Sequence, residues 1–321
     1  MPVSVPGRVM KRLLAGLCDL CLTVGLSTAI LLIATGGGEV VFQGHLIRFY
    51  SVFNLVLAWG GLFLFRGKAL GRFPLFGRTG WTFEILSGRA YAGVLGTARW
   101  LEGLSTRRFW RLLLLLAGLS ALLKALNALG HDGYFSGDDV EVLEMTLSRL
   151  LGWPWRAWDL RNAFFPFTFI FPAQYGVWLL GVRDPWLLDM TGRAVIILFS
   201  SVNILLLYRV TKIWSGRRTP ALFAAALLAF SQLSISLSST VLPRPVSTTF
   251  LLLATLLYLR APARGRSLLG VGLCLGLATT IRFSEGIFLL PFLAHLAWRR
   301  RWRQAFLMGM ATVLSALMLL G

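Results

Sequence analysis

Ser136-Gly137-Asp138-Asp139-Val140-Glu141-Val142-Leu143-Glu144 places four carboxylates within seven residues of a chain otherwise built of apolar runs and arginines. Eight of the thirteen acidic residues (Asp132, Asp138, Asp139, Glu141, Glu144, Asp159, Asp184 and Asp189) fall between about 130 and 192. A carboxylate crowded by other acids and by indole rings has its pKa raised toward the range in which it takes a proton from an alcohol, which is the work of a general base. Ser136 followed by Asp139 also reads as a capping-box-like start of a helix running to about Leu150, and acids in a first helical turn are stabilised by the dipole without any further role. Four such groups exceed what capping needs. Trp153, Trp155 and Trp158 follow, and such rings either belt a membrane interface or stack on sugar faces.

The elements that hold this stretch are membrane helices. With 56% apolar and 14% charged residues and a mean hydropathy of +0.72, the 321-residue chain has the composition of a polytopic, all-α membrane protein. Its formal charge of +19 does not point to nucleic acid, because the arginines sit in short clusters between apolar runs, as the positive-inside rule requires. Cys18 and Cys21 lie within an apolar run and read as buried thiols rather than a redox pair. The basic start and the long apolar run after it read as an uncleaved anchor.

Spans are expected at about 13–33, 49–65, 110–129, 193–213, 220–240, 246–260, 267–281, 285–298 and 304–320. Nine crossings place the N-terminus, the 66–111 loop with its nine basic and two acidic residues, Ser215–Arg218, Arg260–Arg266 and Arg299–Arg303 all in the cytoplasm. The same count sends the 130–192 loop, eight acids against four arginines, to the outside. Phe164–Leu180, interrupted by Pro166 and Pro172, reads as an interfacial or re-entrant element. The expected organisation is a two-helix membrane module over 1–65, a basic cytoplasmic linker over 66–108, and a seven-helix core over 109–321 carrying the external loop.

An arginine fork matches the oxygens of a carboxylate or a phosphate, so arginines on the side of the acidic loop are candidate anion ligands. Arg161, Arg244 in the turn Pro243-Arg244-Pro245, and Arg282 fall on the expected outer side. Arg282 interrupts an apolar run and is followed by Glu285, so a structural ion pair competes with a ligand role. Lys124, within the span leading to the acidic loop, can snorkel outward, and contact with a phosphate is the minority reading for it.

Asp138-Asp139-x-Glu141-x-x-Glu144 resembles the Asp-Glu-x-Gln-x-x-Glu pattern in the first external loop of the family-22 mannosyltransferases, members of the GT-C superfamily. Trp158-Asp159-x-Arg161-Asn162 followed by Pro166 is similar to that family's Trp-Glu…Arg-Ser…Pro segment. Gly276-Leu277-Ala278-Thr279-Thr280-Ile281-Arg282, with Pro291 downstream, resembles its arginine-containing helix break. Ser136-Gly137 stands where that family carries His-Pro. The resemblance covers roughly 110–300 and implies a GT-C-like seven-helix core with a large first external loop, preceded here by two extra transmembrane helices. It implies transfer of a sugar, mannose in that family, from a polyprenyl-phosphate donor to a glycan or lipid acceptor outside the cytoplasm, with inversion. Asp138 or Asp139 would be the catalytic base, and Glu141, Glu144, Trp158, Arg161, Arg244 and Arg282 would bind substrate. No cofactor is required, although the four acids could hold a divalent cation. The C-terminal part of such enzymes has no counterpart here, so a partner supplying it is an expectation. The alternative class is a non-catalytic polytopic protein, a lipid or ion transporter or an assembly partner. An arginine- and tryptophan-rich, lysine-poor chain suits a GC-rich bacterial genome, hence an expected home in a bacterial inner membrane.

Overall fold

The computed structural model describes residues 5–35, 38–42, 45–49, 52–70, 77–130, 137–153, 163–260 and 265–320. The chain forms two compact units, Met1–Leu104 and Ser105–Gly321. The break thus falls four residues before the 108/109 boundary expected from sequence. Among the described residues the architecture is all-α apart from one antiparallel hairpin in the first unit.

That unit runs α1 (Val5–Thr35), β1 (Gly38–Phe42), β2 (His45–Phe49), α2 (Val52–Phe65), a π-helical turn Arg66–Leu70, and α3 (Gly77–Gly103). The two strands pair from Gly38 opposite Phe49 to Phe42 opposite His45. Segment 66–108, expected as a linker, therefore carries a 27-residue helix. The π-turn packs so closely on α3 that a Cβ on Gly67 would meet the Ser87 carbonyl at 2.7 Å. Apolar Ala15, Cys18 and Leu70 are buried together. Among them runs a buried ion pair, the Arg66 Nε donating to Asp19 Oδ1 at 2.8 Å, and the Trp59 indole N–H donates to the Leu22 carbonyl at 2.6 Å. Of the pair once read as buried thiols, Cys18 is buried and Cys21 is exposed.

The second unit contains α4 (Thr106–Leu129), α5 (Gly137–Leu151), a π-turn Pro166–Ile170 leading into α6 (Phe171–Leu179), α7 (Pro185–Ser215), α8 (Arg218–Phe230), α9 (Gln232–Ser238), α10 (Arg244–Arg260) and α11 (Gly265–Ile281). A 3-10 turn Phe283–Phe288, α12 (Leu289–Trp298) and α13 (Trp302–Leu320) complete it. Among the described residues α4 and α7 are each long and apolar enough to cross a membrane, and the α8–α9 pair, bent by 55°, makes a third if it counts as one span.

Local chemistry sets the ends. Ser105 caps α4 by accepting from the Arg108 N–H, and Asp184 caps α7 by accepting from the N–H groups of Trp186 and Leu187, with Pro185 at the first helical position. Helix α7 therefore starts eight residues before the expected 193. Gly216, at φ 70°, ends it in the left-handed conformation that glycine adopts without strain. Small residues seat α11 against α13: a Cβ on Gly272 would lie 2.5 Å from the Met308 carbonyl, and one on Gly276 2.6 Å from that of Thr312. Helix α6 is held on α7 by the Gln174 amide, which donates to the Leu188 carbonyl at 3.0 Å.

Candidate active site

Helix α5 begins at Gly137, so Asp138 and Asp139 occupy its first turn, as the capping pattern predicts. Their side chains lie outside the described part of the structure, as do Ser136, Trp158 and Arg161 altogether. From Val140 onward the helix divides sharply. Glu141 is 2% exposed and Val142, Leu143, Met145, Thr146, Leu147, Ser148 and Leu150 are buried, whereas Glu144 and Arg149 are exposed. The Arg149 guanidinium lies 5.1 Å from the centre of the Phe167 ring. The two glutamates expected to bind substrate thus face opposite environments.

The buried side of α5 shows where the acidic stretch is held. Val142, Leu143, Leu147 and Leu150 form one apolar cluster with Phe165 and Ile170, with Leu188 and Ile196 of α7, with Val241 and Val246, and with Ile281. Val241 and Val246 flank Arg244, and Ile281 immediately precedes Arg282. Helix α5 therefore belongs to one apolar cluster with residues next to the two cationic candidates. Burying four such side chains holds α5 there with several kcal/mol, about 1.5–3 for each.

Arg282 sits in extended backbone between α11 and the 3-10 turn, at the helix break expected from its sequence. It donates to Glu285 Oε1 at 3.0 Å, so the ion pair weighed against a ligand role is formed. The same carboxylate oxygen accepts from Ser247 Oγ at 3.4 Å, and Ser247 Oγ also donates to the Arg244 carbonyl at 3.0 Å. Glu285 is the joint that ties the Arg282 break to the start of α10. Arg282 remains part-exposed, so its fork can still meet a ligand. Arg244, the first residue of α10, is exposed and makes no ion pair among the described residues.

Two polar features escaped the sequence reading. Asp189 and Arg193 pair at 2.8 Å within α7, and the Arg193 guanidinium also donates to the carbonyls of Ala128 and Ser239, joining the ends of α4 and α9. Two of the eight loop acids thereby have structural roles, Asp184 as a cap and Asp189 in this pair. The i,i+4 spacing of Asp189 and Arg193 was the available signal once the helix is started at Asp184-Pro185. The second feature is Lys124. It does not snorkel outward; it is fully buried and donates to Ser200 Oγ at 2.7 Å. Its partner lies 76 positions away and leaves no local trace in sequence.

The arrangement offers a helix with two aspartates in its first turn, tied through one apolar cluster to the chain around two arginines. Such a site can remove a proton from a hydroxyl and compensate the charge of a departing phosphate. No curated protein and no solved structure matches the chain. Residues 188–321, from the fourth residue of α7 to the end of the chain, match the family of dolichyl-phosphate-mannose-protein mannosyltransferases. This is not the family-22 group that the acidic motif resembles; the match begins past that motif, and the two likenesses overlap at the helix break over 276–282. Both are of the GT-C type, and over its matched residues the chain is similar to a family of mannosyltransferases.

Proposed function

We propose that this protein is a membrane glycosyltransferase that moves a sugar, mannose on the family likeness, from a polyprenyl-phosphate donor to an acceptor hydroxyl on a glycan, lipid or protein. Asp138 or Asp139 accepts the acceptor proton as its oxygen attacks the anomeric carbon. The bond from that carbon to the phosphate oxygen breaks, and the phosphate leaves with its charge met by Arg244 and Arg282, giving inversion. Glu141 and Glu144 shape the helix and its field, and Trp158 and Arg161 extend the substrate surface. The reading asks for no metal. The reaction faces the non-cytoplasmic side of a bacterial inner membrane, with the N-terminus in the cytoplasm, an orientation that rests on the charge pattern of the loops.

The observation that supports this reading is the single apolar cluster that the acid-bearing helix shares with Val241 and Val246 on either side of Arg244 and with Ile281 just before Arg282. The test is transfer of radiolabelled mannose from a polyprenyl-phosphate donor by purified protein and by its Asp138→Asn and Asp139→Asn variants. One of the two variants should lose roughly 10²–10⁴ in turnover with its thermal stability unchanged. Full turnover in both variants would remove the acidic stretch from the chemistry, and no turnover by the parent with any sugar donor would end the enzyme reading.

A further inference from the structure

A cavity that Arg244 also lines is built for a negative charge from outside the protein. Lys124 is 0% exposed, and its ammonium has three donors and no acceptor. Among the described residues its only hydrogen-bond partner is Ser200 Oγ at 2.7 Å, and no carboxylate pairs with it. A cation held at membrane depth without a counter-charge costs several kcal/mol, and such residues mark ligand paths more often than packing.

The hydroxyl chain beyond Lys124 carries this preference outward. Ser200 Oγ accepts from Lys124 and also from Ser238 Oγ, at 2.8 Å, so its own proton is left to donate. Ser200, 3% exposed, lines a cavity of about 170 Å³ together with Ser231, Ser234, Ser238, Arg244 and Thr248. That volume is several times the roughly 30 Å³ share of one water. The cavity lies at the bend between α8 and α9, where irregular backbone at depth needs a polar lining. Arg244 brings a guanidinium fork to it from the N-terminus of α10, whose dipole also favours negative charge. Leu228, Leu233 and Leu237 complete the wall, with Leu233 exposed at its edge.

We propose that this cavity is an anion site that takes a phosphate group, held by Arg244 and the Ser200 hydroxyl and neutralised from behind by Lys124. Its apolar wall suits a phosphate carried on a lipid chain; inorganic phosphate offers the same oxygens without the chain. The site stands on its own geometry, and only the identification of the lipid as the sugar carrier rests on the transfer reading. Lys124 acts through Ser200 and is a positioning residue.

Equilibrium dialysis of the full chain in nanodiscs tests this, with radiolabelled orthophosphate in one arm and a short-chain polyprenyl phosphate in the other. Saturable binding is expected, weakened about tenfold by Ser200→Ala and by Arg244→Gln. Binding of the lipid alone assigns the site to a lipid carrier, and equal binding of both assigns it to free phosphate. Ser200→Ala removes one hydroxyl and keeps the test valid if Lys124→Met fails to fold. Binding is read here without turnover, so a failed transfer reading leaves this result standing. No saturable binding in either arm, or binding untouched by both Ser200→Ala and Arg244→Gln, overturns the proposal.

Discussion

In the first unit the buried guanidinium of Arg66 meets the Asp19 carboxylate at 2.8 Å; in the second the buried ammonium of Lys124 meets, among the described residues, only the Ser200 hydroxyl at 2.7 Å. Both cations are fully buried. The first has its counter-charge in the chain and closes a local structure around it. The second is stabilised by hydroxyls whose remaining proton points the charge toward a cavity. Burial alone therefore does not separate a structural charge from a functional one; the presence of a partner carboxylate does.

The largest effect should come from breaking the closed pair. Asp19→Leu leaves Arg66 buried against an apolar side chain, which costs about 3–5 kcal/mol, read as a lowered melting temperature of the detergent-purified protein. The double variant Asp19→Leu/Arg66→Met should regain most of that loss, because matched apolar groups avoid the desolvation that the ions suffer. A double variant no more stable than the single one would mean that the pair has roles beyond charge balance. Arg193→Met should follow at about 3 kcal/mol, since it strands Asp189 and removes the donor shared by the Ala128 and Ser239 carbonyls. Asp189→Asn, keeping the hydrogen-bond geometry, should lose less in the same melt.

Lys124→Met inverts the sign. Deleting a charge that has no carboxylate partner among the described residues should leave stability within about 1 kcal/mol of the parent, or raise it, because the desolvation of the ammonium disappears with it. A loss as large as that of Asp19→Leu would place Lys124 among the structural cations and erase the contrast between the two units.

This contrast marks where the sequence was legible. Helices near all nine expected spans are present, because runs of apolar residues report burial or lipid directly. The α5 start was visible for the same local reason: a Ser-Gly-Asp-Asp entry ahead of an apolar face. The sequence hid every feature whose cause lies far along the chain. Arg66 and Asp19 are 47 positions apart and Lys124 and Ser200 are 76, so nothing near Lys124 warned that it would turn inward rather than snorkel. Helix α3 was hidden differently. Its glycines argue against a helix by propensity, and packing such as the close seat of Gly67 on Ser87 outweighs them. Of the site itself, Asp138, Asp139, Arg244 and Arg282 came from residue type, spacing and the family resemblance. The apolar cluster that joins α5 to the neighbours of Arg244 and Arg282 came only from the structure.

An exposed charge supplies the third case, with the smallest expected effect. Glu144 is the eighth residue of α5, past the first turn where the helix dipole acts, and it is exposed while Glu141 three positions earlier is buried. Solvated carboxylates need no counter-ion, so Glu144→Gln should change stability by no more than about 0.5 kcal/mol. If Glu144 contributes only to the field around the helix, its neutralisation should alter sugar transfer by about twofold or less, a change of roughly 0.4 kcal/mol in the barrier. A loss in turnover as deep as that expected for Asp138→Asn or Asp139→Asn would move the base one full turn or more along the helix. The outward face of α5, rather than its first turn, would then be where the acceptor hydroxyl meets the protein.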